Sequence, residues 1–264
     1  MAARTLRHAS VFETAQGSLT SVTPADLSAF HKAAFARDGL HVAVVGDIDA
    51  KALRARLDQL FGDLPQKQAL APVPDVTPKR RADAGRNALP QTSVQLAFPA
   101  VGRNDPEFYA GQLMNDIVGG SRFTSRLFQE VREKRGLAYG VSSSLEDYQP
   151  NMLVVTTSTR ADRAAETLDL IRQLIKELVD TGPTAAELEA SKKCLIGAYA
   201  IDNLGSSRPI SATLVGLQLD KLGIDYIQRR PALIEQVILE QAGRRRRSCF
   251  RPSPRLWALA RDSE

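Results

Sequence analysis

His8, His31 and His41 are the only imidazoles in this 264-residue chain. A zinc site built on one helix for hydrolysis needs two histidines four residues apart, with a glutamate between them to activate water, as in H-E-x-x-H or its inverse H-x-x-E-H. None of the three has a second histidine at that spacing, and no H-x-E is joined by a C-x-x-C. Cys194 and Cys249 are the only cysteines, too few for a structural zinc cluster or a disulfide framework. Cys194 sits beside Leu195 and Ile196 in a helical pattern and reads as a buried structural thiol. The chain by itself is expected to bind no metal and to perform no zinc chemistry. His31 reads as a residue at the edge or surface of a helix.

Other patterns are weaker. Gly119-Gly120-Ser121 stands ahead of a helix and could cradle an anion. It lacks the lysine of a P-loop and the spacing of a dinucleotide fingerprint, so it reads as a helix end and a turn. No G-x-S-x-G elbow is present. The run Arg244–Arg247 could bind phosphate or an anionic membrane surface, or form a solvated tail.

The most informative stretch runs from Ser125 to Val141, SRLFQEVREKRGLAYGV. Arg132 falls in the last turn of a predicted helix, where a cation offsets the helix dipole, and Tyr139 opens a strand, a place that suits an aromatic residue. Those roles are purely structural. The alternative is that the helix end and the next strand bring a guanidinium and a phenol to one place, a donor pair suited to a carbonyl oxygen or an oxyanion. In that arrangement Glu130 and Glu133 point away to solvent.

The rest of the chain must supply the elements that position the pair. Thr23-Pro24-Ala25-Asp26 predicts a capped helix start, followed by Leu27, Phe30, Ala34 and Phe35 at helical spacing. Leu40–Val45 reads as a buried strand, and Ala50–Phe61 as an amphipathic helix. Five prolines between Pro65 and Pro90 predict a linker of roughly 25 residues. A strand is expected over Thr92–Phe98, a helix from Asp105 to Gly119-Gly120, and a second from Thr124 to Arg135, closed by Gly136. Ala138–Leu145 and Met152–Thr159 read as a hairpin. A long amphipathic helix follows through Leu168, Ile171, Ile175 and Leu178, then a capping box at Thr184-x-x-Glu187, with helical patterns to about Ala242. The class is α+β: a mixed or antiparallel sheet with helices on one face. A faint repeat places Val22 on Val237 and Phe35 on Phe250, an offset of 215 residues that brings Leu256–Leu259 close to His41–Val44.

Charge excludes one broad class. Lys and Arg total 35 against 30 Asp and Glu, a formal net charge of +5. Residues 243–264 hold seven arginines and two acids, so the first 242 residues balance at 28 of each sign. A basic face spread over a fold, the footprint of a nucleic-acid binder, is not predicted. Apolar residues make up 43% and charged residues 25%, the balance of a globular protein with its own core. No apolar run reaches the ~18–20 residues of a membrane span, and Met1–Gln16 shows no apolar stretch typical of a secretory signal.

The stretch around Arg132 and Tyr139 resembles the second half of the insulinase/pitrilysin family of zinc metallopeptidases, in particular its mitochondrial-processing-peptidase-like branch, whose second half carries R-x-x-x-G-L-x-Y. The resemblance extends through Pro106–Gly120, the hairpin and Asn203-Leu204-x-Ser206-x-Arg208. It also covers Leu40–Leu64, where Val44-Val45-Gly46-Asp47 and Phe61-Gly62-x-Leu64-Pro65 are similar to the close of the family's first half. It implies two homologous α+β halves in the processing-peptidase-like metallohydrolase fold. Residues 1–64 would be the closing remnant of the first half, 65–90 a linker, 91–242 the second half and 243–264 an atypical Arg-rich tail. The family's H-x-x-E-H lies early in its first half, so the resemblance implies a non-catalytic subunit or a C-terminal fragment. The zinc and a glutamate general base would then sit in a zinc-bearing partner subunit or a missing N-terminal half. Arg132 and Tyr139 would hold the carbonyl of a peptide substrate, and the assembly would be a dimer. A purely structural subunit, like the core proteins of respiratory complexes, is the alternative; anion or membrane binding through the arginine tail is a third. Members of the family occur in the bacterial periplasm or cytoplasm and in mitochondria, so the resemblance leaves the compartment open.

Overall fold

The computed structural model describes residues 21–70, 83–86, 91–120, 123–146, 151–249 and 255–260. Its contacts divide into two units. One contains residues 21–70 together with Asn203–Lys221; the other contains the remaining described residues.

In the first unit, α1 (Pro24–Ala34) begins at a complete capping box. The Thr23 hydroxyl accepts from the Asp26 N–H, and the Asp26 carboxylate accepts from the Thr23 N–H. Asp49 caps α2 (Ala50–Phe61) by accepting from the Lys51 and Ala52 amides. Both helices form where the periodicity predicts them, yet neither buries a residue. Ala36 is the one fully buried side chain between 21 and 70. Residues 40–45 are not a strand. Their apolar run satisfies the side-chain requirement of a buried strand, but no other strand runs beside them among the described residues, and a strand exists only through its neighbours' hydrogen bonds.

The second unit is built on a five-stranded sheet: β1 (Asp83–Arg86), β2 (Gln91–Pro99), β3 (Ala138–Glu146), β4 (Met152–Arg160) and β5 (Arg255–Ala260), in the order β1-β5-β2-β4-β3. The β1–β5 pair is parallel and the others are antiparallel. Alternation, strict in β4 and broken in β2 only by the buried Ala97, buries Val94, Leu96, Leu153 and Val155 on one face and leaves Gln95, Thr156 and Ser158 on the other, the pattern of a sheet covered on one side. Helices supply the cover. α3 (Phe108–Val118) buries Leu113 and Met114 completely. α4 (Ala164–Thr181) turns Thr167, Leu170, Ile171, Leu174, Ile175 and Leu178 inward at three- and four-residue spacing and ends at Gly182, whose φ of +82° suits only glycine. α5 (Ala185–Leu204), α6 (Ser207–Leu219), α7 (Tyr226–Glu235) and α8 (Leu239–Cys249) follow; α6 belongs to the first unit.

Four further expectations are corrected. The helix placed from Asp105 starts at Phe108, because the Asp105 carboxylate accepts the Glu107 amide in a turn that precedes it. The helix placed over Thr124–Arg135 is π-helical across Phe128–Glu133. Cys194 is half-buried rather than buried. Finally, α8 runs through Arg244–Arg247 to Cys249 instead of ending near Ala242: arginine is a strong helix former, and Arg244 pairs with Glu240 one turn earlier at 2.8 Å. Phe250, which the repeat pairs with Phe35, lies outside the described residues.

Candidate functional site

The approach to Arg132 is shaped by the π-helical turn. The Lys134 N–H reaches back five residues to the Gln129 carbonyl at 3.0 Å, and the Leu137 N–H reaches back six to the Val131 carbonyl at 2.9 Å. This wider turn keeps both Phe128 and Val131 buried while setting Arg132 at the border, its side chain about one-third exposed. Single π turns of this kind are frequent at functional sites. Gly136, at φ +57°, then reverses the chain into β3.

Tyr139 is aimed by a β-bulge. Ala138 pairs with Thr159 and Val141 with Thr157, so Tyr139 and Gly140 together oppose the single residue between those partners. Ala138 and Val141 both face inward, and the extra residue leaves Tyr139 outside, 87% exposed. Two threonines satisfy carbonyls around this irregularity: Thr157 Oγ1 donates to Gly140 O at 2.8 Å, and Thr159 Oγ1 to Leu137 O at 2.6 Å.

The structure brings Arg132 and Tyr139 together. The guanidinium carbon lies 5.0 Å from the Tyr139 ring centroid and 4.6 Å from that of Phe128, which itself meets Phe123 edge-to-face at 5.1 Å. Stacking on two aromatic faces limits the rotamers of a long side chain and leaves its N–H edge free to donate outward. Glu133 does join the site, contrary to the reading that it points away: its carboxylate is 3.6 Å from Arg132 Nε. Glu130 is held elsewhere by Lys134 at 2.6 Å and by Arg135, and hydrogen bonds from these two cations lower its pKa. Beside Tyr139 opens a hollow of about 540 Å³ lined by Gln91, Phe128, Ser142, Thr156 and Ser158, with no charged residue in its wall among the described residues. The arrangement offers two hydrogen-bond donors at the rim of a neutral, hydroxyl-bearing surface on the uncovered face of the sheet.

The described residues do not fit a zinc site. His31 stacks against Phe35 with centroids 4.7 Å apart, and His41 Nδ1 is 2.8 Å from the Gly39 carbonyl; His8 lies outside the described residues. Among the described residues no three His, Cys, Asp or Glu side chains group as metal ligands. Gly119 and Gly120 form the turn expected of them, both amides donating to the Asn115 carbonyl. A Cβ on Gly119 would stand only 3.0 Å from the Ser143 nitrogen, so this turn needs glycine to let α3 approach β3.

Sequence reading missed a second polar cluster, made by residues far apart in the chain. Arg103 lies over the Phe108 ring at 4.2 Å and donates to the Tyr226 hydroxyl, which is also hydrogen-bonded to Tyr109. Arg230, buried, covers Tyr199 at 4.1 Å and donates to Leu195 O at 3.0 Å. Burial, and then the bond to Tyr226, raise the Tyr109 pKa, so this phenol stays neutral. Only the tyrosines falling on otherwise apolar helix faces hinted at such a cluster.

Three comparisons bear on this geometry. The family model described as the peptidase M16 inactive domain matches residues 21–195. An uncharacterized zinc protease of Mycobacterium leprae is 27% identical over 248 residues, covering 86% of this chain and 54% of that protein. A non-peptidase homolog of Helicobacter pylori is 25% identical over 202 residues, covering 74% of this chain and 46% of that protein. The crystal structure of a peptidase M16 inactive domain from Pseudomonas fluorescens superposes with a TM-score of 0.79 at 30% identity, over 92% of this chain and 58% of that one. The chain thus spans about half the length of the curated relatives it matches.

Proposed function

Because the chain belongs to the peptidase M16 inactive-domain family, we propose that it completes the peptide-binding chamber of a zinc-bearing half, with Arg132 and Tyr139 as the substrate-holding pair. A non-catalytic role fits the family. The observation that carries the finer reading is the contact of the Arg132 guanidinium with a ring that is almost wholly exposed: a tyrosine kept out of the core by a bulge and stacked on a cation serves no packing purpose.

In this reading the pair works through donors. A peptide carbonyl lying over the rim accepts from the guanidinium edge and the phenolic hydroxyl. Both bonds strengthen as charge develops on that oxygen, which favours the transition state over the ground state. The described wall of the hollow carries no charge, so the charges beside the held carbonyl are those of Arg132 and Glu133. A zinc-bearing partner half would supply the metal chemistry at the scissile bond, while this chain's own residues bind and orient the peptide. One peptide and one zinc-bearing partner, in a dimer, complete the set.

The test is reconstitution. The purified chain alone is expected to hold no stoichiometric zinc and to cleave no peptide. Mixed with an H-x-x-E-H subunit encoded in the same genome, it should raise peptide cleavage well above that subunit's own rate. A zinc-bearing subunit equally active without this chain would overturn the proposal. It would leave the structural-subunit reading, which the non-peptidase naming of the Helicobacter pylori relative favours. Anion binding through the arginine run has less support, since Arg244 is engaged by Glu240 and Glu107.

A further inference from the structure

The uncovered face of β2, β3 and β4 is wet yet almost free of charge. Antiparallel pairing sets Gln95, Thr156 and Ser142 side by side across the three strands, and Ser93 beside Ser158 in the next row. All five are exposed or half-buried, and the Ser93 and Ser158 hydroxyls lie 3.3 Å apart. Gln91 extends the surface at the start of β2, in the wall of the hollow beside Tyr139. Along these strands charge enters only at the ends: Arg160 pairs with Asp162 at 2.6 Å, and Glu146 accepts the Ser144 hydroxyl at 2.7 Å.

Such a composition is unusual for an open surface. Charged residues make up 25% of the chain, and exposed sheets ordinarily carry them to keep strands from associating. The need is greater here, because β3 lies at the end of the strand order. Hydroxyl and amide side chains both donate and accept, so they can meet the alternating N–H and C=O groups of an uncharged polypeptide. They hold no counter-charge. A charged side chain laid among them gives up hydration without gaining a partner of opposite sign.

We propose that this face selects the substrate: an extended peptide segment whose sheet-facing side chains are uncharged lies across Ser142, Thr156 and Ser158, with a carbonyl at Arg132 and Tyr139. This rests on the reading of that pair given above and adds the class of residue accepted beside the held carbonyl. Alternate residues of an extended chain face the same side. Only every second position is therefore screened, and those between point away from the sheet and are free to carry charge. The two charges at the rim, Arg132 and Glu133, lie 3.6 Å apart and offset each other.

The test ranks peptides on the full chain alone. Acetyl-Ala-Gln-Gln-Ala-amide is compared with the peptides carrying Glu-Glu or Lys-Lys in place of the two glutamines, so that one of the two residues faces the sheet in either register. Binding is followed by NMR at the backbone amides of Gly140, Ser142, Thr156 and Ser158. The glutamine peptide should give saturable shifts confined to this face, and each charged peptide should bind at least about tenfold more weakly. Thr156→Lys, a change at an exposed position, should recover binding of the glutamate peptide and weaken the lysine one further, and Thr156→Glu should do the reverse. Should a variant fail to fold, the ranking on the native chain decides alone. Equal or tighter binding of either charged peptide overturns the proposal, as does the lack of a saturable shift with the glutamine peptide. So do the same shifts produced by a zinc-bearing half without peptide, which would make the face an interface between halves. The expected ranking on a chain that leaves the rate of the zinc-bearing subunit unaltered would instead sink the function proposed above and spare this selectivity.

Discussion

An offset of 215 residues carries Pro24–Ala34 onto Leu239–Cys249 and residues 40–45 onto Arg255–Ala260. The leading pieces are both helices. The trailing pieces are both apolar, LHVAVV and RLWALA, yet one is a strand and the other is not. Arg255–Ala260 lies between two strands, parallel to β1 and antiparallel to β2. Residues 40–45 show no ladder among the described residues: the Leu40 N–H turns back to Arg37 O, His41 Nδ1 meets Gly39 O, and the Gln218 side chain donates to the Val42 carbonyl. A helix closes its own hydrogen bonds and forms wherever capping and periodicity favour it, whereas a strand must borrow its partners. What separates the two regions is the supply of neighbours, not composition.

The capping boxes make the same point. Thr23/Asp26 and Thr184/Glu187 share one pattern and one set of bonds. The first is open to solvent. The second is locked by Arg126, which donates to both Glu187 oxygens at 2.7 and 2.8 Å and also to the Gly182 carbonyl. Identical local signals have different energetic weight once tertiary contacts are added.

The largest test of the contrast is amide exchange. Amides of Leu96 and Val155, in the centre of the β2–β4 ladder, should open only with much of the sheet, while those of Leu40–Val45 should open almost freely. Opening free energies run from near zero up to the global stability of roughly 5–15 kcal/mol, so the two sets should differ by at least about a thousandfold in protection. Adding a half that supplies the missing sheet neighbours should slow Leu40–Val45 and leave Leu96 unchanged. Slow exchange at Leu40–Val45 in the isolated, monomeric chain would break the comparison. Concentration-dependent slowing would instead sharpen it, since Leu27, Phe30, Phe35 and Leu60 are all more than half exposed in that unit and would then be finding partners in another copy.

Acid should act on the second capping box more than on the first. Partial burial pushes the Glu187 carboxyl up, but hydrogen bonds from Arg126 and from Thr184 outweigh it and hold the pKa at about 2, below the ordinary 4.5. The folded form therefore binds the proton less readily than the unfolded chain. This stability is complete above pH 4.5 and is lost as the pH falls towards 2. The contribution is roughly 1–2 kcal/mol after allowance for solvent screening of a pair that remains partly exposed. Glu187→Gln should lower stability at pH 7 by that amount and flatten the denaturant midpoint between pH 5 and 2 relative to the native chain. A native profile already flat over this range would show that the Arg126 clamp adds nothing.

Much of the second unit was legible from sequence because its signals and its contacts agree. The alternation of Thr92–Phe98 and Met152–Thr159 and the helical spacing of Leu168–Leu178 translate directly into β2, β4 and α4. The sequence could not reveal what depends on pairing. Leu40–Val45 has a strand's residues without a ladder, and the bulge at Tyr139–Gly140 is defined by register against Thr157 and Thr159, not by residue type. The π turn was hidden for a related reason: Leu127, Phe128 and Val131 keep the same spacing whether the backbone bonds reach four residues back or five. The resemblance to R-x-x-x-G-L-x-Y singled out Arg132 and Tyr139, and their contact at 5.0 Å is set by a helix end meeting a strand start; their part in holding substrate is the proposal made above.

The smallest effect on stability should come from Tyr139→Phe. The hydroxyl belongs to a side chain 87% exposed, and the ring contact with Arg132 survives its removal, so the change should lie within about 0.5 kcal/mol. This follows from the same contrast: Tyr139 is held in place by the ladder of β3 on β4 and by Thr157, not by its own oxygen. In a reconstituted assembly the outcome reverses in scale. Losing one donor to a developing oxyanion costs about a hundredfold or more in turnover, with little change in KM, because the donor is felt chiefly as charge appears. Tyr139→Ala separates the two duties of the residue. It removes the ring as well, gives up a cation–π contact worth about 1 kcal/mol and releases Arg132 towards Glu133. Full turnover in Tyr139→Phe with loss in Tyr139→Ala would make the tyrosine a positioning residue that keeps Arg132 aimed. Full turnover in both would leave the pair without a part in catalysis while the sheet, the bulge and the π turn that set it remain as described.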